Sequence, residues 1–194
     1  PHAKALFRKA SLPVADELLL RCDDALPEAA TRARAELGGA VVIKPASGGS
    51  AIGTTRLRAD AEMHHWVAAL RAAFAVDDTA LVERFVPGFE VTCGVLEDGS
   101  GLRALPPTLI TSKAAEWYDF RSRYAAGGSE HQCPAPLPER ITARVQEVAE
   151  LAFRALGCRD LGRVDFVVGE GDDPRAVTLL EVNTLPGMTS TSLF

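Results

Sequence analysis

Nothing in these 194 residues stays apolar long enough to cross a membrane, because Arg, Glu, Asp or Gly interrupts every candidate run. Lys and Arg do not gather into a stripe that would suit nucleic acid, and the net charge is −5. A mononucleotide site remains open, since it needs only a few aimed cations and a metal. Cysteine is scarce: Cys22, Cys93, Cys133 and Cys158 form no C-x-x-C pair, and no histidine stands near them at zinc spacing. The expectation is reduced, buried thiols in a cytoplasmic protein rather than a metal site or a disulfide framework. There is no internal repeat and no low-complexity linker. A secretory leader is not expected, because residues 1–10 carry Lys4, Arg8 and Lys9 among apolar positions and read as an amphipathic helix. What is present is ordinary for a globular chain, 47% hydrophobic and 24% charged, with length for one domain or two small lobes.

Local patterning predicts helices over 2–10, 26–36 and 60–74, with Asp24 as N-cap of the second and Asp60 at the start of the third. Strands are expected at 13–20, 41–44, 54–58, 81–85, 90–96 and 102–110, with Asp98-Gly99 as a hairpin turn. Residues 122–138 read as an irregular loop. A long helix follows over 139–156, where Ile141, Val145, Val148, Ala149, Ala152 and Leu156 recur at helical spacing and Gly157 supplies the stop. Two last strands, 162–168 and 176–182, flank Gly171-Asp172-Asp173-Pro174. These elements do not alternate as in a doubly wound parallel sheet. Hairpins with interspersed helices predict an α+β fold of two lobes, residues 1–84 and 85–194, meeting near Arg84 around a cleft.

The final hairpin carries the most informative chemistry. Arg163 and Asp165 lie two apart, as do Glu181 and Asn183, so each pair projects from one face of its strand. Pairing centred on Asp173 sets Asp165 opposite Glu181 and Arg163 opposite Asn183, unless the register slips by one. Facing carboxylates on a half-buried sheet need compensation. Arg163 is one remedy, which leaves a salt-bridged strand pair. A divalent cation is the other, since Asp, Glu and an Asn carbonyl are hard oxygen ligands suited to Mg²⁺. The apolar neighbours Val164, Phe166, Leu179, Leu180 and Val182 show that these polar residues sit in a packed sheet.

Upstream, Lys44 ends a β-branched strand and leads into Pro45-Ala46-Ser47-Gly48-Gly49-Ser50-Ala51-Ile52-Gly53. Glycines there let backbone N–H groups approach phosphate oxygens, although a plain hairpin turn reads equally from the loop alone. It is not a P-loop, for no Gly-Lys-Ser/Thr ending is present and a strand follows. In Leu81-Val82-Glu83-Arg84-Phe85-Val86-Pro87-Gly88-Phe89-Glu90 two acids stand seven apart around a Pro-Gly break. They are either surface carboxylates on two strands or a hinge. As a hinge, the carboxylates and the backbone around Arg84 and Phe85 would bind adenine and ribose.

Taken in order, these segments resemble D-alanine–D-alanine ligases, members of the ATP-grasp superfamily. The marks are Lys44-Pro45 with Gly49-Ser50-Ala51-Ile52-Gly53, Val82-Glu83 with Gly88-Phe89-Glu90, Trp117-Tyr118-Asp119-Phe120, Arg123-Tyr124, Cys133-Pro134-Ala135, Gly162-Arg163-Val164-Asp165-Phe166, and Leu180-Glu181-Val182-Asn183-Thr184-Leu185-Pro186-Gly187-Met188-Thr189. The resemblance implies an ATP-grasp fold with the nucleotide between two α+β lobes, without the family's N-terminal domain. It implies that ATP phosphorylates one D-alanine and that the amine of a second attacks the acylphosphate, for peptidoglycan precursor synthesis. It assigns phosphates to Lys44, the amides around Gly49 and Ser50, and Arg123. Adenine and ribose fall to Glu83, Arg84, Phe85 and Glu90. Asp165, Glu181 and Asn183 would bind two Mg²⁺ ions, with Mn²⁺ admitted in their place. Arg163 and the Gly187 N–H would stabilise the tetrahedral oxyanion, and Ser192 and Leu193 would receive the second carboxylate. Ser50 and Tyr124 would join the network closing a loop over the site. A cytoplasmic homodimer is the implied assembly.

The chain departs from the family pattern at Arg123, where a lysine is usual, and at Ala51, where a second serine is usual. These changes leave open a paralogous ATP-grasp ligase joining other amino acids. A non-catalytic nucleotide-binding module is the third reading, against which Arg163 stands, since mere binding has little use for it.

Overall fold

A computed structural model of the chain describes residues 1–49, 51–112 and 129–188. In chain order its elements are α1 (His2–Lys9), β1 (Glu17–Arg21), α2 (Leu26–Leu37), β2 (Val41–Pro45), β3 (Thr55–Leu57), α3 (Met63–Phe74) and β4 (Thr79–Arg84). Then come β5 (Phe89–Asp98), β6 (Gly101–Ala104), β7 (Thr108–Ser112), β8 (Ser129–Gln132), α4 (Glu139–Ala155), β9 (Leu161–Val168), a 3₁₀ turn (Pro174–Ala176) and β10 (Val177–Asn183). They divide into two compact units: Ala15–Phe85 makes one, and His2–Val14 joins the residues from Val86 onward in the other. Among the described residues no helix is long and apolar enough to cross a membrane.

The first unit is a four-stranded antiparallel sheet in the order β1-β4-β2-β3. Alternate residues of each strand, Leu20, Val41, Ile43, Ala80 and Val82, bury against Ala29, Ala30 and Ala33 of α2 and Trp66, Leu70 and Ala73 of α3. The second unit is a six-stranded sheet in the order β10-β9-β5-β7-β8, with β6 also on β5. One face packs on α4, whose Ile141, Val145, Val148, Ala149, Ala152 and Phe153 form a buried stripe. Gly157 ends α4 with φ +67°, its N–H donating to Arg154 O while the Cys158 N–H reaches Phe153 O, the paired bonds of a Schellman stop. Gly162 lies against Phe153, 3.1 Å from where a Cβ would stand, which lets β9 approach the helix closely.

Several expectations are corrected. The run 13–20 is not one strand: Val14 bridges Leu179 in the second unit, whereas Glu17–Arg21 pairs with β4 in the first. The run 102–110 is broken into β6 and β7 at Leu105-Pro106-Pro107, since proline cannot donate to a ladder. Asp24 and Asp60 do not cap their helices, which start at Leu26 and Met63 without side-chain caps. Asp24 instead accepts from the Arg21 N–H and Arg32, and Asp60 from Arg58. Part of the expected loop at 122–138 is strand β8, paired with β7. All four cysteines are free, but only Cys93 is fully buried, its thiol pushed up by burial to about 12, whereas Cys22 and Cys133 are exposed.

Among the described glycines of the second unit, Gly88 leaves the least room for a side chain. Its φ is +149°, and a Cβ there would stand 2.4 Å from the Val168 carbonyl oxygen. Backbone does not yield as a flexible side chain does. Gly88→Ala is therefore expected to destabilise the fold by about 3 kcal/mol or more, from strained φ and overpacking together. A chemical-denaturation midpoint matching the wild type would refute this.

Candidate functional site

In the first unit, the helix-facing alternation of β2 sends Val42 and Lys44 to the opposite face. Val42 pairs with Glu83 of β4 and Lys44 with Leu81, so Lys44 and Glu83 are diagonal neighbours there, and they form an ion pair. Glu83 is buried, at 5% exposure. Arg84 falls on the other face and pairs with Asp16 at 3.4 Å. The N–H groups of Arg84 and Phe85 are engaged by Asp16 O and Ala40 O, each at 2.9 Å. Those two N–H groups are thus already engaged within the first unit. Arg56, opposite Val42 on β3, stacks its guanidinium 3.8 Å from the Phe85 ring centroid. Its Nε is buried with no hydrogen-bond partner among the described residues. Nothing in the sequence alone marks Arg56, because only the β2–β3 register brings it to this face.

The glycine loop leaves β2 under fixed control. Gly48, Ala51 and Gly53 take φ of +124°, +56° and +69°. Gly53 has no room for a side chain, with Pro45, Ala72 and Val76 atoms 3.0–3.1 Å from a Cβ position. The loop's first residues are tied by Asp77, whose carboxylate accepts from the Ser47 N–H and the Thr79 N–H, each at 2.8 Å. Those bonds, the Thr79 amide foremost, hold the Asp77 carboxyl below the ordinary value of 3.8. Asp77 also escaped the sequence reading, being 30 residues from Ser47. A folded-state value below the unfolded one means the tie is fully present above the ordinary value and is lost as pH falls through the lowered one. The Ser47 and Thr79 amide resonances are thus expected to move together with a midpoint below 3.8, and Asp77→Asn should abolish that step. A midpoint above the ordinary value contradicts the assignment.

In the second unit the face away from α4 is polar along three adjacent strands. Glu181 of β10 pairs with Asp165 of β9, which pairs with Thr92 of β5; one step along, Asn183 pairs with Arg163, which pairs with Gly94. Glu90 lies two residues before Thr92 on the same side of β5. The pairing of β10 depends on an irregularity. Leu179 pairs with Phe166, but the next match is Glu181 with Asp165, so Leu180 is an extra residue in the strand. Without it Leu179 and Val182, both packed in the core, could not share the helix side.

Asp165 is the hub. Arg163 grips it as a fork, Nε to Oδ1 and Nη2 to Oδ2, both at 2.9 Å. The Thr92 hydroxyl donates to Oδ1 at 2.6 Å and the Asn183 amide to Oδ2 at 3.0 Å. Arg163 and Asp165 side chains are only 14% and 15% exposed. Glu181 is exposed and adjoins this group. Among the described residues no group of three His, Cys, Asp or Glu forms a ready metal cage. The donor chemistry nevertheless fits Mg²⁺: two carboxylates and an amide oxygen are hard ligands, and one arginine leaves the group net negative. Four donors fill the Asp165 lone pairs, so an ion needs at least one of them to withdraw.

The structure thus brings together Arg163, Asp165, Glu181 and Asn183 in one unit, and Lys44 and Glu83 in the other. Gly187 follows β10 in an exposed segment, with Leu185 and Met188 also exposed. Ser50, Arg123, Tyr124, Ser192 and Leu193, and the Trp117-Tyr118-Asp119-Phe120 run, lie outside the described residues.

Comparison with known proteins shows a family. The family model for the D-ala D-ala ligase C-terminus matches residues 6–194. The D-alanine–D-alanine ligase of Desulfovibrio desulfuricans is 41% identical over 98% of this chain and 58% of its own length. That of Frankia casuarinae is 41% identical over 100% of this chain and 49% of its own. Among solved structures, the VanG D-Ala:D-Ser ligase of Enterococcus faecalis superposes with a TM-score of 0.81 at 30% identity, over 98% of this chain and 53% of that one. The Bacillus anthracis D-alanine–D-alanine ligase complexed with ATP gives 0.75 at 26% identity, over 98% and 56%. The chain spans about half the length of the relatives it matches.

Proposed function

Because the chain belongs to the D-alanine–D-alanine ligase family, through the C-terminal part of those proteins, we propose that it carries the nucleotide and ligation chemistry of an ATP-dependent ligase joining two D-alanines for peptidoglycan precursors. The observation that carries this reading is the Asp165 hub with Glu181 beside it. A domain that only held nucleotide has little use for a nearly buried arginine fork on a carboxylate whose neighbours are more oxygen ligands.

In the proposed reaction a carboxylate oxygen of the first D-alanine attacks the γ-phosphorus of ATP, and ADP leaves. The amine of the second attacks the acyl carbon, loses its proton, and phosphate departs as the amide forms. Lys44 and the glycine-loop amides around Gly49 and Ser50, with Arg123, hold phosphates. Glu83, the Arg84 and Phe85 backbone, the Phe85 ring and Glu90 hold adenosine. Asp165, Glu181 and Asn183 would hold Mg²⁺, two ions on the family pattern with Mn²⁺ as substitute, and the metal would supply neutralisation of the phosphoryl charge. Arg163 and the Gly187 N–H face the oxyanion of the tetrahedral state. Ser192 and Leu193 take the second carboxylate, and Ser50 and Tyr124 close the loop that excludes water. The working form is a cytoplasmic homodimer.

The VanG D-Ala:D-Ser ligase superposes as well as ligases named for D-alanine alone, so overall likeness does not choose the second substrate. ADP release with Mg²⁺ is to be compared for D-alanine, D-serine, L-alanine and D-lactate. Release that requires D-alanine and yields the D-alanine dipeptide is expected. Release needing D-serine as the second substrate reassigns the specificity. Nucleotide binding with no release under any of these sinks the catalytic reading.

A further inference from the structure

We propose that Thr92 is a positioning residue, holding the Asp165 carboxylate in the orientation that receives the divalent ion. This rests on the metal-binding role proposed above for Asp165. Four donors meet that carboxylate, and three of them have other duties. The two Arg163 donors are needed at the oxyanion, and Asn183 is to offer its own oxygen to the ion. Thr92 has no such second task. It stands directly opposite Asp165 in the β5–β9 ladder and is 1% exposed. Its Oγ1 lies 2.6 Å from Oδ1, the length of a strong bond to an ionised acceptor, against 3.3 Å to the Val164 carbonyl.

The chemistry favours a threonine for this work. A β-branched side chain in a strand is stiff about χ1, so its hydroxyl comes from one fixed direction. When the arginine fork releases a nitrogen, a carboxylate without Thr92 would be freer to rotate. With it, Oδ1 stays held from the β5 side, while Glu181 and Asn183 stand on the β10 side. Partners one layer behind metal ligands typically govern affinity by about 10- to 100-fold.

The test is Mn²⁺ titration followed by electron paramagnetic resonance, with saturating ADP, on the wild type and on Thr92→Val, Thr92→Ser and Asp165→Asn. Valine keeps the shape and removes the hydroxyl. The expected result is an Mn²⁺ Kd raised about tenfold in Thr92→Val. ADP affinity without metal should not change, and Thr92→Ser should recover most of the loss. Should the valine variant fail to fold, Thr92→Ala carries the same expectation. A wild-type Mn²⁺ Kd in Thr92→Val, with Asp165→Asn clearly weakened, overturns the positioning role alone. An unchanged Kd in Asp165→Asn overturns the metal assignment and the Thr92 role with it. Equal loss of metal and of metal-free ADP binding marks Thr92 as merely structural and also overturns the proposal.

Discussion

Arg163→Lys is expected to slow ATP-dependent dipeptide formation by about 10²- to 10³-fold in kcat, the usual cost of removing one preorganised oxyanion donor, while KM for ATP changes little. The charge is kept, so a purely Coulombic role would be nearly preserved. The geometry is not kept. Arg163 addresses both Asp165 oxygens through two nitrogens of one planar group, and lysine offers a single ammonium on a flexible stem. A fork that can release one nitrogen and still hold with the other is suited to alternate between Asp165 and a developing oxyanion. The substitution should also loosen Asp165, which loses a bidentate partner in a nearly buried setting. A Tm within a few degrees of wild type together with the large kcat loss separates chemistry from folding. A kcat within threefold of wild type would remove Arg163 from the transition state.

The hairpin holding this arginine was largely legible in the sequence, though for a reason the sequence hid. Counting outward from Asp173 matched Asp165 with Glu181 and Arg163 with Asn183, and the structure has those pairs. Near the turn, however, the pairing is centred half a residue earlier, with Val177 on Val168 and Leu179 on Phe166. The extra residue at Leu180 makes up the difference. Its trace is the Leu179-Leu180 doublet, which breaks the apolar–polar alternation just before Glu181. Likewise Pro106-Pro107 marked a break inside an expected strand. Asp24 and Asp60 misled because an acid near a helix start also serves a preceding turn or a nearby arginine, and propensity does not choose between them.

Thr92, Asp77 and Arg56 were illegible for a different reason. Each acts through strand order. Thr92 meets a carboxylate 73 residues away because β5, not a sequence neighbour, flanks β9. Arg56 reaches Phe85 only through the register of β3 on β2 and β2 on β4. Periodicity reports which face a residue occupies, but not which strand lies beside it.

Lys44 and Glu83 show the same limit, and they set the second large effect. The sequence reading gave them separate duties, phosphate and adenine, whereas the structure pairs them on one sheet face. The Lys44 side chain is 27% exposed and that of Glu83 6%, so Lys44 screens a carboxylate that is nearly out of water. Lys44→Met keeps the apolar stem and deletes the charge. It should weaken ATP binding by about 10- to 100-fold, from one lost cation at the phosphates, at roughly 1.4 kcal/mol per tenfold. It should also cost about 2 kcal/mol of stability, since it removes the ion-pair partner of a carboxylate that is nearly out of water. Glu83→Gln in the same background removes the buried charge and should recover part of that stability, giving a coupling of about 1 kcal/mol or more in a double-mutant cycle. ATP affinity should not recover with it, because the phosphate cation is still missing. Adenosine supplies the control: it lacks phosphates, so Lys44→Met should leave its binding near wild type. If adenosine and ATP weaken equally, Lys44 acts by holding Glu83 in place and not by meeting phosphate. If the cycle shows no coupling, the ion pair is incidental, and the two residues work as independently as the sequence alone implied.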